Sequence, residues 1–316
     1  MIWSLPLLGF VLGSLPLGDA QSSSGNNTGS QLPAVLNSTY IQTLGNNSLF
    51  LRWRPSYHFI SPAGWMNVSG AFLTSSIANM SVQDPCGMMY DPTEDRYHLQ
   101  YQFHPNHVNW GNISWGHAVS DDLITWTDVG GWEDAEARSV GTGPNATSRN
   151  SSYYGLGIFS GSAQPYNLQG EQNGTIISFY TSVQYLPTNW AIPYTKGTEK
   201  QSIVISNDGG NTWEQYAGNP IISSPPDGWN VTGWRDPFVE PWPEMDAILG
   251  QDEPHWYMVL GSGIKGTNGG GRIPFYSAPA SNLTDWTFLG ALWEPKANES
   301  LGSLLETGTY GFNFEV

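Results

Sequence analysis

The sequence predicts an all-β fold assembled from repeated small antiparallel sheets, a β-propeller. Three observations carry this. Short β-branched and aromatic runs alternate with clusters of Gly, Pro, Asn and Asp, and no long stretch sustains a 3.6-residue apolar period. Similar runs recur three times, at Tyr97–Phe103, Thr175–Thr181 and His255–Leu260, a period of roughly eighty residues. Each is followed by a polar turn and a Trp-bearing strand, at Ser120–Trp126, Ser206–Trp213 and Ser281–Trp286. A β-sandwich with coincidental Ser…Trp hairpins is the competing architecture.

The composition fits. The 316 residues include 37 Gly, 22 Pro, 15 Trp and 15 Tyr, and only 12% are charged. With 11 Lys and Arg against 27 Asp and Glu, the net charge of -16 leaves too few cations to neutralise phosphates, which excludes nucleic acid as a partner. The single cysteine, Cys86, excludes an internal disulfide framework and a thiolate zinc site.

Residues 1–20 read as a secretory signal peptide. Leu5–Leu17 is apolar and uncharged, and Gly18-Asp19-Ala20 supplies small residues for cleavage, although no Lys or Arg stands at the start. The run is too short, and too broken by Pro6 and Pro16, for a membrane anchor, and no later apolar run reaches spanning length. About a dozen Asn-x-Ser/Thr acceptors, Asn37, Asn112, Asn173, Asn230 and Asn282 among them, fit a secreted glycoprotein. Residues 21–48, rich in Ser, Gly, Asn and Thr, are expected to be a disordered lead-in. The β-rich domain is expected over 49–316.

The repeat has a chemical consequence. Upstream of the repeated strands stand Asp84-Pro85, Phe159-Ser160-Gly161-Ser162, Arg235-Asp236-Pro237 and Asn313-Phe314-Glu315. Asp84, Ser160, Asp236 and Glu315 are separated by 76, 76 and 79 residues. Equal phase in a radial repeat means equal position in successive blades. If that position is the innermost strand, the carboxylates converge at one mouth lined by Trp and Tyr, an arrangement suited to hydrolysing sugars.

Singly, these residues have ordinary readings: Asp-Pro is most often a turn, and Ser160 and Ser162 are common turn residues. A Cys86 nucleophile lacks an identifiable His partner. His104-Pro105-Asn106-His107 lacks a third ligand and is broken by its Pro, so no metal or other cofactor is expected. Gly266–Arg272 lacks a P-loop ending and reads as a hairpin loop.

Together, Arg54-Pro-Ser-Tyr-His-Phe59, Gly64-Trp-Met-Asn67, Asp84-Pro-Cys-Gly87, Trp110-Gly-Asn-Ile-Ser-Trp-Gly-His117, Phe159-Ser-Gly-Ser162, Trp234-Arg-Asp-Pro237 and Phe312-Asn-Phe-Glu315 resemble, in order, glycoside hydrolase family 32. The wording is most similar to secreted fungal β-fructofuranosidases, invertases and fructosyltransferases. The resemblance implies a five-bladed β-propeller of which about the first three blades are present, without the family's C-terminal β-sandwich. It implies retaining cleavage of β-fructosides such as sucrose, by hydrolysis or fructosyl transfer. Asp84 then matches the nucleophile, Glu315 the acid/base and Asp236 the carboxylate that holds fructose hydroxyls. Asn67, Gln102, Trp110, Ser160 and Arg235 match positions that line the fructose pocket. A catalytically inactive sugar-binding fragment is the alternative, and an inverting arabinan hydrolase a third.

Relatives run directly from Trp-Met-Asn into Asp-Pro, whereas here Val68–Gln83 intervenes. These sixteen residues open with Val-Ser and close with Gln, encodable by codons that begin GT and end CAG, the borders of a short intron in frame. An unspliced intron is therefore expected, the rival being a loop bulging from the strand. Digests of the secreted protein should yield a peptide joining Asn67 directly to Asp84 in mass spectra; peptides from within 68–83 would contradict the intron.

Overall fold

The computed structural model describes residues 65–66, 85–104, 113–129, 157–185, 188, 192–266 and 269–295, all within one compact unit. The signal-peptide and lead-in assignments, the 68–83 insert and site residues Asn67, Asp84, Trp110 and Glu315 lie outside the described residues.

Three antiparallel sheets follow one another along the chain. The first contains β1 (Trp65–Met66), β2 (Pro85–Asp91), β3 (Arg96–His104), β4 (Ser114–Ser120) and β5 (Thr127–Asp128). The second runs β6 (Gly157–Gln164), β7 (Ile176–Val183), β8 (Glu199–Ser206) and β9 (Glu214–Gln215). The third runs β10 (Val231–Pro241), β11 (His255–Ile264), β12 (Gly270–Pro279) and β13 (Thr287–Trp293). Each is an up-and-down meander in sequence order. β1 and β2 both pair with β3: Trp65 and Met66 face His104 and Phe103, and Pro85 faces Tyr101. They occupy successive lengths of one edge, with Gln102 of β3 between them.

The three repeated runs are the second strands β3, β7 and β11. The Trp-bearing segments differ from the expectation. They are turns between third and fourth strands, and Trp126, Trp213 and Trp286 each stand one residue before the outer strand. The polar residues hold these turns: Ser120 Oγ accepts the Asp122 and Leu123 N–H groups, and Asp122 Oδ1 accepts those of Ile124 and Thr125. In the second sheet Ser206 and Asp208 repeat the pattern. Trp213 and Trp286 donate Nε1–H to the carbonyls of Gly210 and Leu283, three residues back. A short helix, α1 (Pro243–Leu249), lies between β10 and β11. Its seven residues are too few for an apolar period to reveal in the sequence. It opens on Pro and ends on Gly250 in the left-handed conformation, φ 67°. No helix among the described residues is long and apolar enough to cross a membrane.

Burial declines from inner to outer strands. Every residue of β7 is buried, whereas β13 has none buried. A strand buried on both faces must serve two neighbours, and alternation does this. Ile177 and Phe179, with Ile203 of β8, pack against Trp234, Val239, Met258 and Leu260 of the third sheet. Tyr180 and Val204 face the other way, onto Cys86 and Trp115 of the first.

A buried histidine pair closes the seam between the first two sheets. His117 Nδ1 lies 3.0 Å from the Gly210 carbonyl and must donate, so His117 Nε2 accepts from His98 Nδ1 at 2.9 Å. Gly210 is required there: its φ is 83°, and a Cβ would lie 2.4 Å from His117 Cε1. Burial pushes His98 down to about 4, with Asp91 opposing the shift and Arg96 adding to it. Burial and the neighbouring His98 push His117 down to about 3.

Both rings are held neutral, so their contribution to stability is complete above pH 6.5 and drains away as pH falls toward 4, because the unfolded chain takes up the protons first. By pH 5 the loss is about 2 kcal/mol per ring. Urea unfolding at pH 7 and pH 5 should show this fall, and the double variant H98Q/H117N should flatten it.

Candidate active site

The first strands of the sheets share a local irregularity. In β6, Ile158 faces Ser182 and Gly161 faces Tyr180, so Phe159 and Ser160 together oppose Thr181. In β10, Arg235 faces Gly261 and Phe238 faces Val259, so Asp236 and Pro237 together oppose Leu260. Such a two-against-one bulge bends the strand and re-aims a side chain. Gly161 makes the first possible, since a Cβ there would lie 1.9 Å from the Phe179 carbonyl oxygen. Asp236 itself adopts φ 62°, a left-handed conformation in which a residue with a Cβ stores about 1 kcal/mol or more.

Of the eight predicted site residues, three, Ser160, Arg235 and Asp236, lie on these inner strands, and a fourth, Gln102, lies on the neighbouring β3. Gln102 on β3 donates Nε2–H to Ser160 Oγ on β6 at 2.7 Å, across two sheets. The buried Cys86 thiol also points at Ser160 Oγ, at 3.8 Å, and packs as a small apolar group with Trp115, Ile158 and Tyr180. Arg235 on β10 lies over the Phe159 ring, 5.2 Å from guanidinium carbon to centroid. Asp236, half-buried, donates its backbone N–H to Thr181 Oγ1 at 2.9 Å.

The corner from Gly233 to Asp236 is held at every peptide group. Ser262 Oγ donates to the Gly233 carbonyl at 2.6 Å, and Gln201 Nε2 donates to the Trp234 carbonyl at 3.0 Å. The Trp234 N–H goes to Glu199 Oε2 at 2.6 Å, and Glu199 Oε1 lies 2.5 Å from Arg235 Nη2. Thr181 Oγ1–H in turn donates to Gln201 Oε1 at 2.8 Å. Sequence reasoning did not single out Glu199, Gln201 or Thr181. The one visible signal is a glutamate opening a strand that is mostly buried, and its partners lie 35 and 36 residues further on in another sheet. Among the described residues no cluster of His, Cys, Asp and Glu could hold a metal ion.

Residues 58–308 match the model of the glycosyl hydrolases family 32 N-terminal domain. A levanase of Bacillus subtilis is 34% identical over 257 residues, which is 77% of this chain and 28% of the levanase. An extracellular exo-inulinase of Aspergillus ficuum is 30% identical over 263 residues, 77% of this chain and 40% of the relative. A solved β-fructofuranosidase of Aspergillus kawachii, complexed with glycerol, superposes with a TM-score of 0.64 at 31% identity, over 86% of this chain and 38% of that one. The chain thus spans well under half the length of these relatives.

The inner strands of the second and third sheets are not laddered to each other; side chains link them. Ser162 Oγ donates to the Pro237 carbonyl at 2.9 Å and accepts the Val239 N–H at 3.0 Å, and Gln164 Nε2 donates to the Val239 carbonyl at 2.8 Å. Replacing buried Ser162 with Ala leaves a carbonyl and an N–H without those bonds. S162A should lower unfolding stability by about 1–3 kcal/mol, measured by chemical denaturation, and Q164A by less, its site being only half-buried.

Proposed function

The chain belongs to glycosyl hydrolase family 32, and from that premise we propose that it is a secreted, retaining enzyme that cleaves β-fructofuranosides such as sucrose through a covalent fructosyl-enzyme. Asp84 attacks the anomeric carbon of fructose as the leaving group departs. Glu315 protonates that group and then takes a proton from the incoming water or sugar. Asp236 holds fructose hydroxyls and steadies positive charge at the ring. Asn67, Gln102, Trp110, Ser160 and Arg235 surround the fructose. Retention calls for nucleophile and acid/base carboxyls about 5–5.5 Å apart. The extracellular description of the exo-inulinase supports export.

One observation carries the placement. The bulges of β6 and β10 oppose Thr181 and Leu260, and Gln102, Thr181 and Leu260 are spaced 79 and 79 residues apart. Gln102 is the residue of β3 left between the partners of β1 and β2. β1 ends at Met66 opposite Phe103 and β2 begins at Pro85 opposite Tyr101, so the partners of β3 on either side of Gln102 come from before and after 68–83. Gln102 thus holds on β3 the place that Thr181 and Leu260 hold opposite the bulges of β6 and β10. This register supports reading 68–83 as an insertion into a single strand, and it supports five blades of common plan, the described sheets being the first three.

Fructose release from sucrose by the secreted protein tests the roles. D84N should abolish it and E315Q should lower it by about 10²–10⁴-fold, with folding unchanged by circular dichroism. Undiminished release in either variant refutes that assignment.

A further inference from the structure

We propose that Glu199, together with Gln201, is a positioning residue for the sugar-binding corner Trp234-Arg235-Asp236, acting across the boundary between the second and third sheets. The purpose assigned to this clamp rests on the function proposed above; its geometry does not.

Glu199 and Gln201 stand two apart on β8, so their side chains leave the same face, toward the third sheet, as Ile203 does. They take hold of one residue at both ends. Glu199 Oε2 accepts the Trp234 N–H and Gln201 Nε2 donates to the Trp234 carbonyl. That N–H falls beside a register step between Val231 and Trp234, where the β10–β11 ladder is broken. The second Glu199 oxygen faces the Arg235 guanidinium and accepts the Thr188 hydroxyl at 3.3 Å. Glu199 is fully buried, and the Arg235 side chain is 11% exposed. Charges this far from water are kept only where geometry is closely satisfied. The same carboxylate, after burial, pushes the nearby Tyr194 hydroxyl above its ordinary value. Gln201 also accepts from Thr181, whose Oγ1 receives the Asp236 N–H. The left-handed φ of Asp236 is thus held through Thr181 and Gln201, and the direction of Arg235 through Glu199. All three side chains are fully buried. Their effect is to set where Arg235 and Asp236 stand.

The test uses the full chain with E199D, which keeps the charge but is one methylene short, E199Q, which keeps an acceptor but no charge, and D236N. Hydrogen exchange by mass spectrometry reads the peptide containing 234–236, and sucrose kinetics reads kcat and KM. In E199D, protection should be lost at 234–236 and kept in β7 and β12. Its kcat should fall by up to about 10²-fold, as a 1 Å misplacement can cause, with KM changed far less. E199Q should lose more. Wild-type protection at 234–236 in folded E199D overturns the clamp, whether or not the chain turns over sucrose. Lost protection with unchanged kcat makes Glu199 a structural brace only and overturns the positioning role. Full turnover in D236N instead overturns the site reading on which the role rests, a result separable from the other two.

Discussion

A bulge in a buried strand frees a backbone N–H and a carbonyl where water does not reach, and those groups must be satisfied from somewhere. The inner strands β6 and β10 both carry such steps, and both draw bonds across the seam to a neighbouring sheet, the Phe159 carbonyl of β6 accepting from the Trp115 indole. Ser162 serves Pro237 and Val239, Thr181 serves Asp236, and Glu199 and Gln201 serve Trp234. The polar side chains buried between these sheets are therefore what allows the inner strands to depart from regular pairing. Without that departure, the side chains at the bulges would return to plain alternation.

This also explains why the seams mix apolar and polar contacts by depth. Between the second and third sheets, Ile177, Phe179 and Ile203 meet Trp234, Met258 and Leu260 in an apolar layer. Further along the same faces come Thr181, Gln201 and Glu199. The apolar layer supplies non-directional adhesion. The polar layer fixes register, because a hydrogen-bonded carboxylate or amide tolerates little sliding. Between the first and second sheets the same division holds, with Cys86, Trp115 and Tyr180 as the apolar part and Gln100, Gln102, Ser160 and Ser178 as the polar part.

Phase was legible in the sequence; register was not. The 76-residue spacing of Ser160 and Asp236 predicts one level of successive sheets, because a radial repeat converts sequence period into position. Ser160 and Asp236 do occupy matching bulges. The turn tryptophans were misjudged by one residue, since an indole that bonds its own turn carbonyl resembles a strand aromatic in a linear reading. Glu199 escaped notice for a deeper reason. At the start of a strand whose first four residues, Glu-Lys-Gln-Ser, are all polar, a glutamate ordinarily faces solvent. Only assembly of the next sheet, which delivers Trp234 and Arg235, turns it inward-paired.

The register also bears on how an interruption at Asn67 sits with an otherwise regular first sheet. β1 and β2 hold their places on β3 although sixteen residues separate Asn67 from Asp84 in the sequence. A bulge is a point on an inner strand where the ladder is already open. A chain that leaves and re-enters at such a point gives up fewer pairings than one that leaves from a regularly paired stretch. The function proposed above needs a carboxylate held closely at that same place, so what is cheapest for folding would be costliest for catalysis. Folding of the first sheet and competence of the site are thus separable properties of this chain, and pairing of β2 with β3 speaks only to the first.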